Sequence, residues 1–533
     1  MARDEVLVVG AGPVGLTMGI QLARLGVKFR IVDKSAIQAK DSRAAGIQPR
    51  TLEVFEDMGI LPEFLKQGVK VTGMNLYSGS SRLIHAVYEG FDTPYCFIID
   101  LPQSQTETIL LHELERLGGK IQRETELNNI EMHDSHVDVM LKRGESGLVP
   151  DEFAYVIGCD GARSACRKLT KTPFPGSEYP IHWLILDAKL DWNYDSQEMN
   201  LFPHEKGLIA IFPLPHERSR ITIERQEGDE SPPTFDLALQ RLRERISPEI
   251  KCVEPADIGG FVIHHRQVTS YKTGRVFLAG DAAHLHSPAG GQGMNTGIQD
   301  AYNLAWKLAL VMKGESHEKI LKTYHEERHP IAKEVLAITD KITKMMTVKN
   351  SALSFMRDTF MSVAGNFEGL TKQLPKRFSQ IYLSYGKNEI IVNETKDYPP
   401  TEVKIGGRAP DHLVKQGEKE IRLFELFQGT HHTLLLFSGK KPTEEELKAL
   451  GGFYSIKHPQ IRPYFIYRNE SNLTHCPEKD QCLLDLEPSS HTHYGISKAT
   501  ALLVRPDGYV GIIQEPLNQK GFETYMKKVF TTC

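Results

Sequence analysis

One stretch limits the possible folds more than any other. Glu5 to Val9 is a short apolar run that passes straight into Gly10-Ala11-Gly12-Pro13-Val14-Gly15. Its length and flanks read as a buried parallel strand. Leu16 to Leu25 reads as a helix, and Val27 to Val32 as a second strand ending at Asp33. A Gly-rich turn inside strand–helix–strand is the phosphate-binding turn of a dinucleotide fold. Gly10 makes the tight turn, Gly12 lets the backbone approach a pyrophosphate, and Gly15 lets helix and strand pack closely. Asp33, 18 residues after Gly15, is placed to accept hydrogen bonds from ribose hydroxyls. Pro13 and Val14 in the turn and Lys34 beside Asp33 complete this candidate set. NAD and FAD share the motif. No second copy occurs, so only one dinucleotide has a dedicated Rossmann site.

A second Gly-rich segment covers 274–309. It reads as a strand from Arg275 to Ala279, a turn at Gly280-Asp281, a Gly/Pro loop through Gly293, and a helix from near Gly297. In that helix Ile298, Ala301, Leu304, Ala305, Leu308 and Met312 fall at i, i+3, i+4 spacing. One face is expected to pack while Asp300, Asn303 and Lys307 face away. Glycines 290, 291, 293 and 297 cost entropy unless a backbone must approach a ligand closely. A helix N-terminus offers N–H groups and partial positive charge to a negative group in front of it. Between the two segments, Arg43 lies in an irregular run before a helix expected from about Arg50. Gln103 stands at the entrance of another helix, and Asp160-Gly161 forms a turn after a short strand ending at Gly158.

The chain has 533 residues, too long for one core, which favours two to three domains. Its net charge of −4 gives no basic field for nucleic acid or anionic lipid. The longest apolar helix, around 298–312, carries Asp300, Asn303 and Lys307 and falls short of a membrane span. The N-terminus has charges where a signal peptide is apolar. Seven scattered cysteines without a C-x-x-C pair fit a reduced, cytoplasmic protein.

Taken together, Gly10-Gly12-Gly15, Asp160-Gly161 and Gly280-Asp281 resemble the three ordered fingerprints of the FAD-dependent aromatic hydroxylases, single-component flavoprotein monooxygenases of para-hydroxybenzoate hydroxylase-like fold. RAAGIQPRTLEVFEDMGI and GGQGMNTGIQDAYNLAWKLA are also close to family wording. The resemblance covers essentially 1–345. It is nearest the pentachlorophenol, hydroxyphenylpropionate and polyketide hydroxylases, because the tail resembles their thioredoxin-like appendage. The resemblance implies an α/β fold in which a Rossmann-like FAD domain (1–180 and 261–395, with a helical extension from about 316) is interleaved with an antiparallel-sheet substrate domain (181–260). A thioredoxin-like α/β domain lacking C-x-x-C would occupy 403–533, after a Pro-containing polar linker at 394–402.

The family pattern also implies roles. Asp281, beside Gly280, would hydrogen-bond the ribityl chain of FAD, and Arg43 and Gln103 would contact the flavin side chain. Gly291, Gly293, Met294 and Asn295 would face the pyrimidine edge of the ring, which becomes anionic on reduction. Asp160-Gly161 would lie near the pyrophosphate and the transient NAD(P)H surface. Pro288 would line the flavin face next to the substrate, and Phe212 and Pro213 are lining candidates from the sheet. The implied reaction uses NAD(P)H and O₂ to hydroxylate a small aromatic substrate, phenolic or polyketide-like, through a flavin C4a-hydroperoxide. Epoxidation or inactivating oxygenation of a drug-like polyketide, and a non-catalytic flavin-binding sensor, stay open as alternatives, as does a homodimer. No catalytic base is assignable from the sequence. His284-Leu-His286, His264-His265 and His431-His432 lack partners for a metal, so none is expected.

Overall fold

The computed structural model describes residues 4–38, 44–144, 147–226, 228–229, 231–287, 290–346, 368–395, 403–486 and 490–531. Arg43, Pro288 and the segment 396–402 lie outside these. The chain forms two compact units, 1–23 with 28–301 and 332–381, and 24–27 with 302–331 and 382–533.

In the first unit the apolar strand Val6–Val9 is wholly buried and lies between Phe29–Val32 and Tyr155–Gly158, parallel to both. Val276–Leu278 extends the same sheet on the far side of Tyr155–Gly158. Three strands therefore end side by side at Gly10, Asp160 and Gly280, so the three sequence motifs become neighbouring turns at one sheet edge. An eight-stranded sheet, mostly antiparallel, is built chiefly from Gly176–Asp191, Met199–Phe202, Ile209–Leu214, Arg218–Glu224 and Lys251–Gln267. It also takes in Gly73–Ser78 and Ser81–Val87. Its inner face carries Leu184, Leu186, Ile209, Ile211, Ile221 and Ile223, one residue in two along each strand.

The second unit has its own eight-stranded sheet over a core that includes Leu435, Phe437, Ile466, Leu502 and Val504. His432–Phe437 and Ile461–Tyr467 pair in parallel, with the helix Glu444–Tyr454 between them in the chain. Thr500–Val504 and Val510–Glu515 follow as an antiparallel hairpin around Pro506-Asp507-Gly508, and the helix Gln519–Val529 closes the unit.

Two sequence expectations need correction. The helix of the second motif is Gly293–Met312, and Asp300, Asn303 and Lys307 do not face away from the packing: each is buried. A polar residue on the wrong side of an apolar stripe reads as solvent-facing, but these three find partners far along the chain. Asp300 accepts from the Gly280 backbone N–H at 3.1 Å and contacts His284 Nε2 at 2.7 Å. Asn303 and Lys307 both bond Glu327. The second correction concerns the cysteines. Cys476 and Cys482 are joined in a disulfide, because short 3₁₀ turns at Glu470–His475 and Lys479–Gln481 bring their Cα atoms to 6.1 Å. Lack of C-x-x-C spacing argued only against a thioredoxin-type pair. Among the described residues no helix is long and apolar enough to cross a membrane.

Candidate functional site

The site is built from backbone that only glycine can supply. At Gly10, φ is 104°, and a Cβ there would sit 2.4 Å from the Cys159 carbonyl oxygen and 2.9 Å from the Asp160 Cα. At Gly15 a Cβ would fall 1.9 Å from the Gly10 oxygen. These two glycines therefore pack turn against turn and turn against helix, while a Cβ on Gly12 would meet nothing within 4 Å. Gly12 faces open space, as a close approach by a ligand requires. Gly161, at φ 73°, is likewise open.

Val14 ties the first motif to the third. Its side chain would clash with a Cβ on Gly280 at 2.8 Å and on Gly297 at 2.6 Å, so it fills a notch made by both glycines. Arg167 ties the second motif to the third. Its guanidinium donates to the Ala282 carbonyl at 2.9 Å and the Ala162 carbonyl at 2.7 Å, bridging the turns that carry Asp160 and Asp281. Burial pulls the Arg167 pKa down, and Asp160 and Asp281 oppose that pull. Nothing in the sequence singled Arg167 out, because its partners are carbonyls 5 and 115 residues away. Asp281 itself is exposed at this edge. Asp160 caps the helix Ala165–Leu169 by accepting from the Ala165 and Cys166 N–H groups at 2.6 and 3.0 Å, leaving its buried Oδ1 without a partner.

Asp33 accepts from the Ala11 N–H at 2.7 Å and the Ser35 N–H at 2.8 Å. A carboxylate has about four acceptor positions, so two stay available to ribose hydroxyls. Lys34 beside it is exposed. Gln103 begins the helix Gln103–Arg116, donates its backbone N–H to Ala44 and its side-chain amide to Glu107. Glu107 was missed in the sequence. It is buried, its pKa raised first by that burial and further by nearby Asp33.

At the other end of the site, Asn295 is completely buried. Its side chain accepts from the Gln48 N–H at 2.9 Å and donates to the Gly46 and Gly291 carbonyls at 2.8 and 2.7 Å. The amide thus locks the Gly46–Ile47 strand against the loop before the helix. The first-turn N–H groups at Gly293, Met294 and Asn295 precede the intrahelical ladder, which starts with Thr296 N–H to the Gln292 carbonyl. Above the same strand, Arg220 makes a buried bidentate pair with Asp187 at 2.9 and 2.7 Å and donates to the Ala44 carbonyl at 3.0 Å. Phe212 lies directly across the strand pair from Arg220, and Pro213 across from Ser219. Phe212 is half-buried and Pro213 buried.

Next to Gly46 lie both carboxylate oxygens of Asp100, buried and without partners, and beside them the buried Tyr88 hydroxyl and Gln48 amide, which face each other without a well-formed hydrogen bond. Burial raises the Asp100 carboxyl to about 7, with Arg220 opposing, and it also raises the Tyr88 phenol, which Asp100 reinforces. Such a concentration of unsatisfied groups marks a place where a ligand or water completes the bonding.

Two family models match the chain: "FAD binding domain" over residues 3–339 and "Aromatic-ring hydroxylase, C-terminal" over 403–532. A 6-methylpretetramide 4-monooxygenase of Streptomyces rimosus is 30% identical over 524 residues, covering 95% of this chain and 90% of that protein. Pentachlorophenol 4-monooxygenase of Sphingobium chlorophenolicum is 28% identical, covering 96% and 93%. Among solved structures, a ternary complex of aklavinone-11 hydroxylase with FAD and aklavinone superposes with a TM-score of 0.80 at 25% identity, covering 100% of this chain and 99% of that one.

Proposed function

The chain belongs to the FAD-binding aromatic-ring hydroxylases, a family of flavoprotein monooxygenases, and from that premise we propose how its own residues serve the reaction and what it acts on. The residues fit FAD. Gly12 and Gly161 leave open backbone, Asp160 Oδ1 and two positions of Asp33 await partners, and a helix N-terminus follows Gly291.

We assign the adenosine and pyrophosphate end to Gly10, Gly12, Pro13, Val14, Gly15, Asp33 and Lys34, with Asp160-Gly161 beside it. Gln103 and Asp281 take the ribityl region, and Gly291, Gly293, Met294 and Asn295 the pyrimidine edge. When bound, the flavin accepts electrons from NAD(P)H and activates O₂. The chain's part is to bind, orient and keep water out. Asn295 and the Arg220–Asp187 pair fix the Gly46–Ile47 strand at both ends, so donors at the ring end need little rearrangement as negative charge develops. The substrate we propose is a phenolic ring, free or within a polyketide, lying near Phe212 and Pro213. Its hydroxyl would meet the Asp100–Tyr88–Gln48 group, where Asp100 can hold the proton at neutral pH. We read the C-terminal region 403–533 as a thioredoxin-like domain that serves stability or assembly rather than redox relay, a reading supported by its β–α–β crossover, hairpin and closing helix.

The observation that carries this reading is the joining of the three motif turns by Val14 and Arg167. Asp281→Ala should weaken FAD retention by about tenfold, roughly 1.4 kcal/mol. Unchanged retention removes Asp281 from the site. With FAD bound, phenols and polyketides should stimulate NAD(P)H oxidation and take one atom from labelled O₂. A yellow protein that no such compound stimulates would favour a flavin-binding sensor.

A further inference from the structure

Away from these turns, a hairpin pairs Thr125–Met132 with Val137–Arg143, and its loop and flank carry His133, His136 and Asp138. They are spaced as H-x-x-H-x-D in the sequence. His133 Nε2 lies 3.0 Å from Asp138 Oδ2, and His136 Nε2 lies 3.5 Å from Asp138 Oδ1. One ligand atom from each of the three falls within 4.8 Å of the others. Donor atoms on a tetrahedral zinc ion, at about 2.0–2.1 Å from the metal, stand roughly 3.3 Å apart. The two histidine–carboxylate separations, one to each oxygen of Asp138, bracket that value, and the two imidazole nitrogens lie within 4.8 Å of each other, so drawing the rings together brings all three groups onto one cation.

The surroundings hold this arrangement. Ser135 Oγ lies 2.9 Å from His136 Nδ1, fixing that ring through its other nitrogen and leaving Nε2 for a ligand, as outer-shell partners of metal-bound histidines do. The His133 N–H donates to the His136 carbonyl at 2.9 Å, closing the loop. Arg275 Nε grips the loop's Asp134 carbonyl at 2.7 Å. The two imidazoles stack with centroids 4.5 Å apart and an interplanar angle of 17°. Asp138 is the half-exposed member, with 47% of its side chain accessible, so water can complete the coordination sphere.

We propose that His133, His136 and Asp138 form a surface site for one borderline divalent cation, Zn²⁺ or Cu²⁺, held by two imidazole nitrogens and one carboxylate with water in the remaining positions. Two nitrogens and one oxygen suit these ions rather than Mg²⁺ or Ca²⁺, which prefer all-oxygen sets. The order of affinities expected for such a set is Cu²⁺ above Zn²⁺, with Mg²⁺ not bound. The site is independent of flavin binding, and its residues play no part in the reaction proposed above.

The test is a calorimetric titration of chelator-treated, FAD-loaded full-length protein with Zn²⁺, then with Cu²⁺, for wild type, His133→Ala, His136→Ala and Asp138→Asn. Equal melting temperatures before metal addition establish that the variants are folded. The expected result is one equivalent of Zn²⁺ in wild type that weakens by about 100-fold or more in each histidine variant, since even outer-shell changes cost about 10–100-fold. Asp138→Asn should lose less. If wild type binds no saturable equivalent, or if the variants bind the same number with the same affinity, the proposal is overturned. For a variant that melts early, bound Cu²⁺ in wild type is read by electron paramagnetic resonance. Coupling to two nitrogens supports the site, and coupling to none or one refutes it.

Discussion

Asp100 and Glu327 are both buried carboxylates, yet their surroundings push them in opposite directions. Burial lifts Asp100 to about 7, with only Arg220 pulling it back and no hydrogen bond to either oxygen. Burial would also lift Glu327, but Arg505 and Lys307 overcome it and hold the carboxyl well below its ordinary range. Glu327 accepts from Arg505 Nη1 and Nη2 at 2.8 Å each, from Lys307 at 2.7 Å, from Asn303 at 2.8 Å and from Asn388 at 3.0 Å. Arg505 pairs also with Asp507, which accepts from Trp306 at 3.2 Å. The cluster around Glu327 is closed, with every charge answered inside the second unit. The one around Asp100 is open. A closed network defines a structure, whereas an open one of similar burial is where a ligand is bound.

The largest expected effect breaks the closed cluster. Arg505→Met leaves Asp507 without its cation and Glu327 with Lys307 alone, and should destabilise the protein by about 3–5 kcal/mol. Denaturant unfolding measures this, and a loss below about 1 kcal/mol would mean the network is not closed.

The open cluster should answer in the other sense. A carboxyl with an ordinary unfolded pKa near 3.9 and a folded value near 7 binds its proton more tightly in the native state. Stability is therefore greatest below about pH 4 and falls as pH rises to 7, with the penalty constant above. Asp100→Asn should remove that slope and stabilise the protein at pH 8, with a ceiling of about 4 kcal/mol, while changing little near pH 4. A slope that survives the substitution would assign the titration elsewhere.

A smaller effect is expected at the junction of the turns. Arg167→Met should leave most of the fold's stability but cost about tenfold in FAD affinity, since two backbone carbonyls lose the cation that aligns them.

How much of this was readable in the sequence depends on what kind of force set each residue. Gly10 and Gly15 were legible because the strand–turn–helix pattern around them is local, although the atoms that exclude a Cβ at Gly10 belong to Cys159 and Asp160. Asp300, Asn303 and Lys307 were misread because their partners outside the helix lie 16 to 204 residues away, and periodicity reports only which face is apolar. Arg167 was invisible because its partners are backbone carbonyls of two separate turns, and the Asp187–Arg220 pair because it depends on strand register. Asp187 and Arg220 are direct cross-strand neighbours, so an alignment of Trp183–Ala188 against Ser219–Glu224 would have found them.

The contrast between the joined turns of the first unit and the closed cluster of the second comes down to one side-by-side experiment, a flavin-fluorescence titration of wild type, Arg167→Met and Arg505→Met under conditions where all three are folded. Wild type should bind one FAD, Arg167→Met about tenfold more weakly, and Arg505→Met as wild type. Equal weakening in both variants, or none in Arg167→Met, would contradict the assignment of flavin binding to the joined turns of the first unit.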